Sequence, residues 1–421
     1  MNFINLKNLK SLSYVLFVLV LGVLASCGSS SSSKDITAFS FPEGTGTITD
    51  TSATAGIIAV TVPYETVVTG LIATFTTTGS SVTVGSTAQV SGTTANDFTS
   101  AATYTVTAAD GTKKTYVVTV TIAPRAAGDK VTFTGDGVSF KMAYVPGGLG
   151  FPEVTDAYWI GETVVTYELW NKVYTWALAN GYTFANVGAD GGDTFTPGVI
   201  THGVTEPVTT VSWRDAMVWS NALTEWYNAT NGTHYTPVYY TDSGYTTPIN
   251  VSDANPFDFT PGTEDNPYVK ADATGFRLLT SNEWELAARY IGTVAPTITP
   301  LATEVDKTTA AGVTYYWTPG NYASGATANT DESAGLTEAV AWFNANSTQA
   351  VALLDPNALG LYDMSGNVLE WSFDLIYGSF RVLRGGSWGD NVINMQIGIV
   401  FNYIPNSTNN NYGFRISRTD L

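Results

Sequence analysis

The sequence predicts a secreted chain with two folded units, an all-β unit followed by an α+β unit. Three observations support this prediction: an apolar leader at the N-terminus, a region rich in Thr, Val, Ser and Gly over residues 35–124, and a change of composition after it. Tryptophan is absent before Trp159 and frequent beyond it, where helical patterns begin. The chain has 421 residues, 44% of them hydrophobic, which is enough for two or three domains with their own cores.

The leader has the composition of a bacterial signal peptide. Lys7 and Lys10 form a basic start, and an unbroken apolar stretch runs from Tyr14 to Ala25. A stretch of this length is too short to span a bilayer but is typical of the hydrophobic region of a signal peptide. We therefore expect residues 1–26 to be cleaved from the mature protein.

The leader ends in Leu24-Ala25-Ser26-Cys27, which resembles the lipobox of bacterial lipoproteins. Cys27 is the single cysteine of the chain, and residues 27–34 form a Ser-rich tether. The resemblance implies a lipid on Cys27 that holds the protein in the bacterial cell envelope, at the outer membrane or the cell surface. The alternative is an ordinary signal peptide with an incidental cysteine. A lone thiol also excludes an intramolecular disulfide.

Residues 35–124 show the alternation expected of short β-strands. Ile58, Val60 and Val62 would share one face, and apolar alternation on both sides of Asp110-Gly111 predicts a hairpin. Short strands at regular spacing favour a β-sandwich of the immunoglobulin-like or cadherin-like kind. Because the region contains no cluster of chemically reactive residues, we interpret it as a stalk.

Residues 125–130 are predicted to be a short linker to the second unit, residues 130–421. Helices are predicted to start after Thr166, Ser212 and Thr280, each of which can cap a helix with its side-chain oxygen. Apolar residues, many of them tryptophan, recur at helical spacing beyond each cap. They predict packing into a core, not a cofactor site.

The charge of the chain excludes several functions. The formal net charge is −18 and the sequence pI is about 4.3. Such a surface repels nucleic acid and anionic headgroups, so we expect no nucleic-acid partner. His202 and His234 are the only histidines, which argues against metal sites built on histidine clusters.

A series of sequence blocks beyond residue 130 resembles the formylglycine-generating-enzyme (sulfatase-modifying factor) domain, which has a C-type-lectin-like fold. The resemblance covers about residues 130–421, and many blocks in the family's order make a stronger signal than any one of them. The blocks are Tyr144-Val145-Pro146-Gly147-Gly148, residues 158–166, residues 207–213, residues 276–285, residues 357–371, Arg384-Gly385-Gly386-Ser387-Trp388 and Gly413-Phe414-Arg415.

The resemblance does not carry the oxidase activity with it. The oxidase of this family uses cysteines near its C-terminus to bind copper, whereas Met395 stands roughly at such a position here and no cysteine follows Cys27. Without a thiolate there is neither a soft ligand for Cu(I) nor a sulfur nucleophile. We therefore expect no catalytic residues; a secreted, cysteine-free enzyme of the superfamily is the alternative.

One cofactor could persist from the enzyme branch of the family. Members of that branch bind structural calcium through oxygen ligands, and Asn367 and Glu370 match part of the ligand motif. The resemblance thus implies a possible calcium site at these two residues. Alternatively, Asn367 caps a turn and Glu370 forms a local hydrogen bond or ion pair.

The segment between Trp388 and Gly413 is unusually rich in asparagine. It resembles the variable region of retroelement-diversified proteins, several of which carry this domain; an undiversified, Asn-rich surface loop is the alternative. Its aromatic and amide side chains are typical of binding surfaces, although the rings could instead be buried core. The predicted ligand-binding residues are Gly389, Asp390, Asn391, Ile393, Asn394, Ile399, Phe401, Asn402, Tyr403, Ile404, Asn406, Ser407, Asn409, Asn410, Asn411 and Tyr412.

Together these features predict a surface-displayed lipoprotein in which a β-sandwich stalk carries a lectin-like, catalytically inactive domain. The predicted partners are an external protein or glycan ligand and, through the lipid, a membrane. A secreted enzyme and a structural envelope or adhesion protein are the competing classes.

Overall fold

The computed structural model describes residues 31–64, 66–151, 153–191, 202–330 and 334–420. The predicted signal peptide, residues 1–26, and Cys27 therefore lie outside the described residues. Contacts between residues divide the chain into two compact units, which meet at Pro124 and Arg125.

The N-terminal unit is a β-sandwich, as predicted. Its larger sheet has the order β3-β4-β11-β10-β7-β8, a second has the order β2-β1-β6, and β5 pairs with β9. The strands are β1 Ile36–Phe41, β2 Gly44–Thr45, β3 Thr47–Ser52, β4 Ala55–Val62, β5 Leu71–Ile72, β6 Thr74–Thr77, β7 Ser81–Val84, β8 Thr87–Ala88, β9 Ala95–Asn96, β10 Ala102–Thr107 and β11 Lys113–Ile122, with a 3₁₀ turn at Val68–Gly70.

The predicted alternation and hairpin are both confirmed in this unit. Ile58, Val60 and Val62 are buried between the sheets, and β10 pairs antiparallel with β11 across the Asp110-Gly111 turn. The ring of Phe39 on β1 meets that of Tyr104 on β10 edge-on at 5.3 Å, which joins the two sheets.

The C-terminal unit has the α+β composition that the sequence predicts. Its strands are β12 Lys130–Gly135, β13 Val138–Val145, β14 Tyr158–Gly161, β15 Tyr239–Tyr240, β16 Tyr268–Val269, β17 Phe276–Leu278, β18 Tyr290–Gly292, β19 Asp306–Ala310, β20 Val313–Trp317, β21 Leu369–Ile376, β22 Phe380–Arg384, β23 Phe401–Tyr403, β24 Tyr412–Phe414 and β25 Ile416–Thr419. Its helices are α1 Tyr167–Ala179, α2 Trp213–Asn231, α3 Ser281–Arg289, α4 Leu301–Glu304 and α5 Ala334–Glu338, with a 3₁₀ turn at Val392–Met395.

The predicted helix caps are confirmed. The side chain of Thr166 accepts a hydrogen bond from the first turn of α1. Ser212 with Asp215 and Thr280 with Glu283 form complete capping boxes on α2 and α3. Side-chain oxygens thus satisfy main-chain amides that each helix leaves unpaired at its start.

Two sheets organise the core of this unit. One has the order β12-β13-β14-β25-β17 and the other the order β23-β22-β21-β24. Helices α1 and α2 pack against one side of this framework, and α3 against the other. The predicted scaffold role of the tryptophans is confirmed for the seven that are fully buried: Trp170, Trp213, Trp219, Trp226, Trp284, Trp317 and Trp371.

Residues 125–129, predicted to be a linker, belong to the C-terminal unit. The guanidinium of Arg125 forms an ion pair with Asp420 and lies over the rings of Tyr144 and Trp159 at 5.6 and 5.1 Å. Main-chain hydrogen bonds also join Tyr144 to residues 128 and 129. These contacts hold residues 125–129 in place, although the composition of this stretch does not predict them.

Candidate functional site

A buried ion pair joins β21 of the four-stranded sheet to the residue that follows β24. Nε and Nη2 of Arg415 donate to the carboxylate of Glu370 at 2.7–3.1 Å, and Nε1 of Trp284 donates to Glu370 Oε2 at 2.9 Å. Arg415 also donates to the main-chain carbonyls of Gly161 and Tyr362. Both charged side chains are at most 1% exposed, so this network links distant parts of the chain inside the core.

The same network does not fit the calcium site implied for Asn367 and Glu370. Both carboxylate oxygens of Glu370 already accept hydrogen bonds from Arg415 or Trp284, and the guanidinium supplies the positive charge a cation would bring. The amide of Asn367 exchanges hydrogen bonds with the main chain of Gln349 at 3.0 and 3.1 Å. These contacts support the alternative interpretation, in which Glu370 forms an ion pair and Asn367 a turn contact.

The donors for a copper site are also missing. Met395 is fully buried in a small apolar cluster that includes Ala326 and Val340. A thioether in such surroundings is neither a thiolate ligand nor a nucleophile. Within the described residues, no group of three or more His, Cys, Asp and Glu side chains is arranged to hold a metal ion.

Residues 389–412, called the contact segment below, are held to the unit by main-chain groups. Strand β23 pairs with β22, and further bonds of 2.8–3.3 Å involve peptide groups on both sides. These bonds run from Ile397 N to Tyr322 O, Gly398 N to Gly320 O, Thr210 N to Asn409 O, Arg214 N to Pro405 O and Leu369 N to Asn411 O. The attachment therefore depends little on which side chains the segment carries.

Arg384 on β22 adds a side-chain clamp to the segment's main chain. Its Nη1 donates to the carbonyls of Ile397 and Ile399 at 3.1 and 3.0 Å. Its Nη2 is paired with Glu285, and the guanidinium lies 5.1 Å from the ring centre of Trp284. Burial lowers the pKa of Arg384, an effect that Glu285 opposes. This buried cation thus positions the middle of the segment.

Four of the predicted ligand-binding residues use their side chains for hydrogen bonds within the protein instead. Asp390 accepts hydrogen bonds from the amide and hydroxyl of Ser387 at 2.9 and 2.6 Å, and from Asn394 Nδ2 at 3.0 Å. Asn391 caps the 3₁₀ turn that follows it, and Asn411 Nδ2 donates to Ser387 Oγ at 2.9 Å. For these four residues the structure indicates a role in shaping the loop.

The aromatic residues of the segment divide between core and surface. Tyr412 is buried, with its ring 5.5 Å from that of Trp371 and 5.3 Å from that of Tyr403. Phe401 is half-buried against the core and pairs with Leu383 on β22. Burial raises the pKa of Tyr412. Of these three aromatic residues only Tyr403, 48% exposed, projects to the surface.

Three large side chains of the segment are exposed: Ile393 (48%), Val400 (45%) and Tyr403. Val400 and the exposed Thr408 were missed by sequence reasoning, because exposure beside an end strand depends on the order of strands in the sheet. The other predicted residues are exposed (Gly389, Asn409) or half-buried (Ile399, Asn402, Ile404, Asn406, Ser407, Asn410).

A cleft of about 400 Å³ lies around the start of α2, and no sequence pattern predicted it. In its wall, Arg214 pairs with Asp265 at 2.6–2.8 Å and with Glu264 at 2.7 Å. Burial raises the pKa of Glu264 to about 8 in spite of the guanidinium. Irregular chain between Thr241 and Asp265 forms most of the lining, which explains why no periodic pattern predicted it.

Comparison with known proteins identifies the family of the chain. The model of the sulfatase-modifying factor enzyme 1-like domain matches residues 152–420, well over half of the chain. The chain belongs to this family. The lectin-like domain predicted from the sequence blocks is thereby confirmed. A second family, described as "SGBP, N-terminal", matches residues 36–120 in the N-terminal unit.

Among curated proteins, the chain is similar to the chaperone protein LppX of Paenibacillus barcinonensis, with 28% identity over 236 residues, 52% of this chain and 71% of that protein. Among solved structures, it is similar to CarF (26% identity, TM-score 0.46, 70% of this chain and 98% of that one). Variable protein 1 of Treponema denticola is similar to the same degree (26%, TM-score 0.46, 69% and 99%). Within the part of the chain that the structure describes, no helix is both long and apolar enough to cross a bilayer.

Proposed function

We propose that this protein is an envelope lipoprotein that binds an external protein or glycan through the exposed side chains of the contact segment. The observation that carries the proposal is the way the segment is attached. Peptide groups and the buried Arg384 hold it in place, while Ile393, Val400 and Tyr403 project outward. A surface built like this can change its side chains, and hence its ligand, without losing its support.

The chemistry of the segment supports binding over catalysis. It contains no histidine, lysine or glutamate, and the carboxylate of Asp390 is engaged by Ser387 and Asn394. The segment therefore lacks the imidazole, the amine and the free carboxylate that most often transfer protons in catalysis. Aromatic, aliphatic and amide groups remain, the mixture that antibody paratopes use for adaptable contacts.

Diversification of the segment and anchoring through Cys27 are parts of the same proposal. The excess of asparagine supports the first, and the lipobox-like end of the leader supports the second. A reverse-transcriptase gene beside a near-copy of the last coding segment, differing at adenines, is the expected genomic context. Cys27→Ala should abolish lipid labelling, and detergent partition that this change leaves unaltered would contradict the anchor.

Binding can be tested on arrays of purified extracellular proteins and of glycans. The full chain, unlipidated through Cys27→Ser, would be compared with the variant Ile393→Ser/Val400→Ser/Tyr403→Ser. A matched control changes three exposed apolar residues elsewhere in the unit, Val294→Ser/Ile298→Ser/Leu353→Ser. We expect array signals to disappear with the first variant and to persist with the control. Signals that survive the first variant would place the contact outside the segment.

A further inference from the structure

Strand β23 lies at the end of its sheet, whose order is β23-β22-β21-β24. An end strand has one row of main-chain amide and carbonyl groups facing away from the sheet, and proteins usually protect such edges with lysine, an inward charge or a covering element. Phe401–Tyr403 and the preceding Val400 carry no charge. Val400 and Tyr403 are also nearly half exposed, so among the described residues this strand combines an end position in the sheet with accessible apolar side chains.

The contact segment contributes almost no charge of its own to this edge. Asp390 is the only charged residue of the contact segment, and it is engaged internally. The cations that support the segment, Arg381 and Arg384, are buried. The segment itself thus offers no cation to bind an acidic partner and no free carboxylate to bind a basic one.

The side chains beside the edge favour protein over carbohydrate. Sugar rings stack on flat aromatic side chains, and Tyr403 alone could serve them here. Val400 beside the strand, like Ile393 elsewhere in the segment, is a branched aliphatic residue, whose exposed surface is best covered by other aliphatic side chains. A protein segment can supply both such side chains and the main-chain groups that an open edge accepts.

We propose that the partner is a protein that adds an extended, uncharged segment to the sheet alongside β23. Main-chain hydrogen bonds to the edge give the affinity, and alternate side chains packing on Val400 and Tyr403 give the specificity, as in other cases of strand addition. The added strand is short, because β23 has three residues and Pro405, which lacks an amide hydrogen, follows soon after it. This inference rests on the proposed function and narrows its ligand to one class.

A phage-displayed library of linear peptides of about twelve residues is a direct probe of this edge. Peptides selected on the full chain carrying Cys27→Ser should be uncharged and rich in β-branched and aromatic residues. Their affinity should change less than about twofold between about 50 and 500 mM salt, because no charge pair is involved. N-methylation along a selected peptide should weaken binding at every second residue, since alternate amides point to the protein.

Two lysine substitutions distinguish peptide binding at the β23 edge from peptide binding elsewhere on the segment. Val400→Lys places a charge beside β23 and should weaken the peptides at least about tenfold. Thr408→Lys places the same charge on an exposed position of the segment outside the strand and should leave affinity within about twofold.

Contrary results are distinguishable. Selected peptides that bind the segment with strong salt dependence, or without a two-residue period on N-methylation, would overturn strand addition and leave the proposed function standing. Glycan-array binding that depends on Tyr403 without any selected peptide would do the same. Dimerisation of the chain through β23, abolished by Val400→Lys, would assign the edge to a second copy instead. Peptides insensitive to every change in the segment would overturn both proposals.

Discussion

The framework of the C-terminal unit and the contact segment on it are stabilised in opposite ways. The framework depends on the identity of its side chains, with Glu370, Arg415 and Trp284 joined by charged hydrogen bonds in the core. The contact segment depends on peptide groups, which every residue except proline supplies in full. Substitution should therefore be costly in the framework and inexpensive at the exposed positions of the segment. This difference is what a protein needs if its binding surface is to vary while its fold does not.

The largest effect is expected from Glu370→Gln, which leaves the charge of Arg415 buried without a partner. Removing one member of a buried pair typically costs about 3–5 kcal/mol, so the free energy of unfolding should fall by about that amount in urea titrations. Lys141→Gln is the control, since Lys141 is half exposed and 3.9 Å from Glu162; it should cost less than about 1 kcal/mol. Similar losses for the two variants would contradict the assigned difference.

Arg384→Lys tests a side chain that donates two hydrogen bonds to the main chain of the segment. A lysine ammonium cannot reproduce the planar fork with which Arg384 meets Ile397, Ile399 and Glu285. Loss of charged hydrogen bonds should lower the free energy of unfolding by about 2 kcal/mol. Amide hydrogen exchange should rise around residues 397–399 more than in α2. Uniform protection across the unit would argue against a clamping role.

Phe401→Ala tests how far the core extends into the segment. A fully buried phenylalanine typically costs about 3–5 kcal/mol when truncated to alanine; half-buried Phe401 should cost about 1–3 kcal/mol. The sequence allowed this ring to be either a binding residue or core, and its packing on the core favours the second. A melting temperature equal to that of the unaltered chain would favour the first.

Glu264 should make stability depend on pH. Burial raises its pKa from the ordinary 4.5 to about 8, so between those values the folded state holds a proton that the unfolded state has lost. Stability should be highest below about pH 4.5 as far as this group is concerned, and should decrease as pH rises through about 8. Glu264→Gln should remove that part of the decrease in urea titrations at several pH values. Glu168→Gln, at an exposed carboxylate of α1, should leave the profile unchanged.

Local sequence patterns predicted the fold of both units more fully than they predicted the candidate site. The caps at Ser212 and Thr280 were predictable because capping is decided by residues three positions apart, and the Asp110-Gly111 hairpin because a turn fixes its own register. The segment's exposure was not predictable, since it depends on β23 ending a sheet made from distant strands. Ser387 and Asp390 have the same spacing as Ser212 and Asp215, a local signal for engagement of the Asp390 carboxylate that the ligand-binding prediction did not use.

The smallest effect on stability, and the sharpest test of the comparison, is expected at Tyr403. Its side chain is 48% exposed, and its place in β23 is secured through pairing with Arg381 on β22. Tyr403→Ala should therefore change the free energy of unfolding by less than about 1 kcal/mol. The same change should weaken binding of a selected peptide or an array partner at least about tenfold, since truncating a contact aromatic often costs about 2 kcal/mol. Thr408→Ala, at an exposed position of the same segment, should change neither quantity measurably. If Tyr403→Ala instead lowered the melting temperature as much as Phe401→Ala, the Tyr403 ring would belong to the core. Strand β23 would then be part of the framework and not of the variable surface.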